Sequence, residues 1–295
     1  MKLYKVLEKS GDTLISPYKG FEFVPGKKYI CEDFDEDKNN ECSRGFYATG
    51  VDGLIYTFRN LPKFEVWEVR VGGRSVEIDQ FKRRYSEIEL VKHVPNGEVK
   101  RLALAEEKKV GYKLAEALFP VNPLLVERSG GATNTETGLL KNWDAVWGSV
   151  GNSVWYSVWG SVRDSVRGSV RGSVGNSVGD SVWCSVWDSV GNSVGASVWD
   201  AVGDSVWGSA WDSVWGSVRD SVRGSVGGSV GAYISSLFPN ISKWQGVDHE
   251  EGVNPFQSCI DLWLAGLVPS FDGKTWRLHA GKNAEIVFES REGTR

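Results

Sequence analysis

Between residues 145 and 232 nine Trp and five Arg recur at one position of a strict four-residue pattern, and no other side chains in the chain repeat with comparable binding chemistry. Trp155, Trp159, Trp183, Trp187, Trp199, Trp207, Trp211 and Trp215, with Arg163, Arg167, Arg171, Arg219 and Arg223, form the candidate binding surface. Aromatic rings interleaved with guanidinium groups build cation–π contacts and interface hot spots. The same run carries five Arg against seven Asp, a net charge of −2, which disfavours phosphate binding along its length and hence nucleic acid. A protein or a glycan suits a mixed aromatic surface better. Trp is encoded by TGG alone, and one change at its first base gives Arg or Gly. The Trp, Arg and Gly set therefore reads as an amplified unit varied at outward positions.

Catalytic chemistry is harder to find. His93, His249 and His279 are the only histidines, and none stands at a metal spacing. His249-Glu250-Glu251 lacks the second His of a metal box, no Gly-rich phosphate loop follows a strand, and no nucleophile elbow is present. Cys31, Cys42, Cys184 and Cys259 show no paired spacing, so reduced thiols are expected and neither a metal nor another cofactor is implied.

The element that must position the Trp and Arg side chains is the repeat itself. From Ala145-Val146-Trp147-Gly148 to Ser229-Val230-Gly231-Ala232 it comprises 22 four-residue units without insertion, Ser-Val-x-x except for Ala145, Ala201 and Ala210, whose fourth position is Gly, Asp or Asn in 18. A helix turns about 100° per residue, so a period of four carries the Val stripe round by about 40° per unit. It would also hold 16 Gly, each costing about 1 kcal/mol against Ala. These terms favour a β-solenoid with Val inward, the third position outward and the fourth turning the corner. Three or four units per coil, stacked about 4.8 Å apart, predict a three- or four-sided rod on the order of 25–35 Å long. The open ends of such a stack invite end-to-end or lateral self-association unless they are capped.

The whole chain therefore reads as a mixed fold: an α+β domain over 1–96, a helical connector and cap over 97–144, the solenoid over 145–232, and a small α+β cap over 233–295. Leu3–Leu7, Lys28–Cys31, Phe64–Val71 and Glu87–Val91 have strand character, with polar Glu32 to Glu41 as an acidic loop. Pro255 to Gly266 predicts an amphipathic helix, Pro269 to Lys274 a turn, and Thr275–His279 with Ala284–Glu289 a hairpin. With 295 residues, 41% hydrophobic content and net charge −4, the composition is that of a soluble protein. No apolar run reaches the roughly 20 residues of a membrane span, and the expected location is the cytoplasm, with virion association left open.

The run Glu41-Cys42-Ser43-Arg44-Gly45-Phe46-Tyr47-Ala48, with Pro25-Gly26-Lys27-Lys28-Tyr29 before it and Phe64-Glu65-Val66-Trp67-Glu68-Val69 after, carries a resemblance. The first 95 or so residues resemble an uncharacterised domain family common in bacteriophages and prophages, marked by Gly-Lys-x-Tyr, Cys-x-x-Gly-Phe-His and Val-Glu-Val. Tyr47 stands where that family has His. Asp261-Leu262-Trp263 with Gly266 to His279 is similar to modules of gut-phage proteins. The resemblance implies a phage-associated, non-enzymatic protein that presents a repeat surface for macromolecular binding. A second resemblance, to the core of mono-ADP-ribosyltransferases, rests on Tyr4-Lys5, Gly45 to Thr49 and the later Glu65 and Glu68. It implies Tyr4, Tyr47 and Glu68 as catalytic residues around a nicotinamide ribose, with Lys5 where Arg or His is usual, and the repeat as a spacer or docking arm.

Overall fold

A computed structural model describes residues 2–17, 20–40, 43–54, 64–78, 81–169 and 215–290, without the side chains of 152, 166–169 and 215–221. The chain divides into two units, Met1–Phe119 and Pro120–Arg295.

The first unit is an antiparallel sheet with a helix against it. Its strands are β1 (Leu3–Ser10), β2 (Thr13–Ile15), β3 (Glu22–Phe23), β4 (Lys28–Ile30), β5 (Phe46–Thr49), β6 (Phe64–Glu77) and β7 (Lys82–Val94). β1 pairs with β6, β6 with β7, β7 with β5 and β5 back with β1, so these four close a ring. Period-two alternation sends Leu7, Ala48, Val69, Ile88 and Leu90 into one core with Leu14 and Phe23. Helix α1 (Asn96–Val110) buries Val99 and Ala103 and ends at Gly111, whose φ of 78° is the left-handed cap that glycine takes without a Cβ penalty. α1 and the short α2 (Leu114–Leu118), the stretch read as a connector, belong to this unit.

The second unit corrects the solenoid. The described repeat residues, 145–169 and 215–232, are helical rather than coiled strand. They lie in α3 (Asn134–Val150), a 3-10 turn (Gly151–Ser153), α4 (Val154–Ser169) and α5 (Trp215–Ser235). Among the described residues no three- or four-sided coil is present.

The physical reason is that a helix need not carry its apolar stripe parallel to its axis if a partner meets it. Residues at i, i+4, i+8 form the inclined ridge that packs into the groove of a crossing helix. Val154, Val158 and Val162 of α4 and Val222, Val226 and Val230 of α5 are buried in this way, and α4 packs on α5. Over four units the drift is only about 120°, close to the width of an ordinary buried helix face. Serine joins that face: Ser157 and Ser161 are buried beside the valines of α4, and Ser225 and Ser229 beside those of α5. On α5 these hydroxyl groups are satisfied within the helix, whereas Ser157 Oγ on α4 is buried without a partner. Ser225 donates to Val222 O at 3.0 Å and Ser229 to Ser225 O at 2.9 Å, the back-bond Ser makes in helix interiors. Glycine, counted above as a helix cost, serves as a notch. A Cβ at Gly228 would overlap Trp147 of α3, and one at Gly160 would overlap Gln245.

Helix α3 starts from a capping box. Thr133 accepts from Glu136 N at 3.2 Å, and Glu136 accepts from Thr133 N at 2.7 Å. The helix expected over 255–266 is α6 (Gln257–Leu264), and the expected hairpin is β9 (Trp276–Ala280) with β10 (Glu285–Glu289). β8 (Val268–Phe271) completes a three-stranded sheet in the order β10-β9-β8 and packs on α5. In the turn between β8 and β9, Asp272 accepts from Lys274 N at 2.9 Å and Thr275 N at 2.8 Å.

Candidate functional site

In α4 the Ser-Val frame faces in and the variable positions run along the flank. Trp155, Trp159 and Arg163 follow one another at four-residue spacing, each half-buried, while Tyr156 is 69% exposed. The Arg163 guanidinium sits 4.4 Å from the centroid of the Trp159 ring, a cation–π pair within one helical turn. Its Nε also lies 3.5 Å from Asp164 Oδ1. Arg223 of α5 is exposed. Arg167, Trp215 and Arg219 lie on α4 and α5 with side chains outside the description, and Arg171, Trp183, Trp187, Trp199, Trp207 and Trp211 fall outside the described residues.

The third position is not uniformly outward. Trp147 packs between Trp143 at 5.8 Å and Trp276 at 6.1 Å, with Gly228 beneath it. A third-position Trp thus becomes a packing residue where another helix offers it a glycine.

The alternative catalytic set is divided between two places. Tyr4 is buried on β1 and shares a register position with Glu68 of β6, whose carboxylate accepts from Lys2 at 2.7 Å. Tyr47 on β5 is opposite Arg84 of β7 and accepts a 3.0 Å hydrogen bond from it. Arg84 is fully buried and also donates at 2.8 Å to Asn40 O and to Asp37 O, drawing the acidic loop over itself. Gly45, with φ of 134°, permits this approach, since a Cβ there would come within 2.7 Å of Arg84 Cγ. The Tyr47 hydroxyl is therefore engaged in fixing that loop.

Lys5 is a group whose chemistry the sequence reading passed over. Burial pulls its ammonium down to about 8, its Nζ donates to Tyr47 O at 3.2 Å, and it lies 5.2 Å from the Phe23 ring. The signal was in the strand period, because Leu3, Lys5 and Leu7 share a face.

Each histidine is held in a hydrogen-bonded or packed place. His279 Nε2 is 2.7 Å from Ser270 Oγ and its Nδ1 is 2.9 Å from Ala284 O. Burial pulls the imidazole down to about 4, so Ser270 donates to a neutral ring. Both residues are fully buried, which leaves this Ser–His pair no route to a substrate. His249 accepts from Trp244 N at 3.1 Å, and His93 lies against Trp67. Among the described residues no group of three or more His, Cys, Asp or Glu could hold a metal ion, and no helix is long and apolar enough to cross a membrane. Cys31 and Cys259 are free thiols. Comparison of the chain with protein-family models, curated proteins and solved structures finds no match.

Proposed function

We propose that this chain is a non-enzymatic, phage-associated binding protein whose Ser-Val helices present Trp and Arg to a macromolecular partner, a protein or a glycan. One observation carries the reading: in α4 the frame residues are buried while Trp155, Trp159 and Arg163 line one flank, with the Arg163 guanidinium held 4.4 Å over Trp159. A cation laid on an indole by its own helix has already lost rotamer freedom, so little ordering entropy is left to spend on binding. Aromatic and arginine side chains of this kind supply most of the energy at protein interfaces.

The test compares the full chain with a Trp155→Ala, Trp159→Ala, Arg163→Ala triple variant in photo-crosslinking against host-cell lysate. Partners recovered with the parent and lost with the variant, at unchanged far-UV circular dichroism, support the reading. An unchanged set of partners contradicts it.

A further inference from the structure

His249 sits in a turn closed at its base by the Gly252 N–H, which donates to Ser242 O at 2.8 Å. Both of its ring nitrogens meet the backbone of that turn. Nε2 accepts from the Trp244 N–H at 3.1 Å, and Nδ1 lies 2.8 Å from Val247 O. A backbone N–H only donates and a carbonyl only accepts, so these two contacts hold the ring in its neutral Nδ1–H form. Gly246, between the two contacts, makes the bend with a φ of 69°.

The turn is tied to the repeat helix α4 through Gln245. Its backbone N–H donates to Ser161 Oγ at 2.9 Å and its side-chain amide to Asp164 Oδ2 at 2.6 Å. That side chain lies over Gly160, where a Cβ would overlap it. Trp244 is only 2% exposed and packs edge-on against Phe256 at 5.7 Å, yet its indole N–H is buried without a partner. An unmet buried donor destabilises the closed turn and leaves it dependent on its remaining bonds. The turn also borders a groove of about 630 Å³, which gives it space to open.

We propose that His249 is a pH latch: protonation of its ring opens the turn over 243–251 and frees α4 from Gln245. A protonated Nε2 turns a hydrogen toward the Trp244 N–H, donor against donor, while Nδ1 keeps its bond to Val247 O. The closed turn therefore favours the neutral ring, and its stability is present at neutral pH and falls as pH drops through the histidine range. The charged groups of the turn itself, Lys243, Asp248, Glu250 and Glu251, are exposed. From α4 come Asp164, bonded to Gln245, and Arg163, and from α6 comes Asp261, bonded to Gln257. Among the described residues none of these makes an ion pair with the ring. Asp164 also lies 3.5 Å from Arg163 Nε, so an open turn leaves this carboxylate to the arginine that lies over Trp159. Acid thereby reaches the Trp and Arg flank, although the latch does not rest on the display reading.

The test follows amide hydrogen exchange of the full chain, as protection factors, at about pH 7.5 and about pH 5.5, either side of the histidine range. The expected result in the parent is about tenfold lower protection of the Trp244 and Gln245 amides at the lower pH. His249→Gln, whose amide oxygen accepts at both pH values, should lose that drop, and His279→Gln, which removes the acid response of the sheet, should keep it. Equal protection at the two pH values in the parent, or the same drop in His249→Gln, overturns the latch. A drop that disappears in His279→Gln also overturns it. Ring ¹⁵N shifts of His249 in the parent give a test without any variant. At the higher pH the latch requires hydrogen on Nδ1 and none on Nε2, and the opposite tautomer overturns it.

Discussion

Trp147 of α3 lies over Gly228 of α5, where a Cβ would overlap its ring. Both belong to the repeat, one as the third position of its unit and the other as the fourth. The variable positions therefore pack against each other as well as facing outward.

This contact gives opposite expectations for adjacent glycines. Gly228→Ala must displace Trp147 and costs about 1–3 kcal/mol. Gly227→Ala, with nothing within 4 Å of the added Cβ, gains helix propensity and stabilises by up to about 1 kcal/mol. Guanidinium unfolding of the two variants decides, and equal effects would remove Trp147 from the core.

His279 makes the second unit sensitive to acid. Its folded value of about 4 lies below the ordinary 6.5, so between these values the unfolded chain binds the extra proton and stability rises with pH. Acidification from 6.5 to 4 removes up to about 3 kcal/mol. Unfolding at several pH values should show that slope in the parent, with this part missing in His279→Gln.

Lys5 acts on the first unit in the alkaline range. Its value is pulled from 10.5 to about 8 by burial, so folding sheds a proton and stability rises as pH goes from 8 to 10.5. Lys5→Met should stabilise the unit near pH 7 by up to about 3 kcal/mol and remove that rise. A variant less stable than the parent at pH 7 would mean that the hydrogen bond to Tyr47 O outweighs desolvation.

Arg84 holds the acidic loop. Arg84→Met leaves Asp37 O, Asn40 O and the Tyr47 hydroxyl without their donor and should cost about 3–5 kcal/mol. Arg84→Lys should not restore it, because three acceptors in different directions need the planar fork. Hydrogen exchange should rise over residues 33–40 in both variants.

Much of the flanking structure is legible locally. The alternation in Phe64–Val71 and Glu87–Val91 and the apolar face of 255–266 each coincide with an element, whereas the turn expected over 269–274 begins only at Asp272, after strand β8. The helical state of the repeat is not legible locally, because its stability does not reside in any one helix. A lone helix with period four wastes its valines, and what rescues it is a second helix with the same ridge, which no local rule supplies. Thr133-x-x-Glu136, just before the repeat, is a helix-start signal legible in the sequence. Neither the burial of Arg84 nor the notch at Gly228 has a sequence signature, because each depends on a chain segment far away along the sequence.

The claim on which the rest depends is that the described parts of the Ser-Val repeat, 145–169 and 215–232, are helical, with the valines of α4 and α5 buried between helices. Valine ¹³Cα chemical shifts of the full chain, with Val154, Val158, Val162, Val222, Val226 and Val230 assigned by single substitution to Ala, report this directly. The account predicts downfield, helix-type shifts at all six. Upfield, strand-type shifts at these positions would contradict it and return the repeat to a β coil.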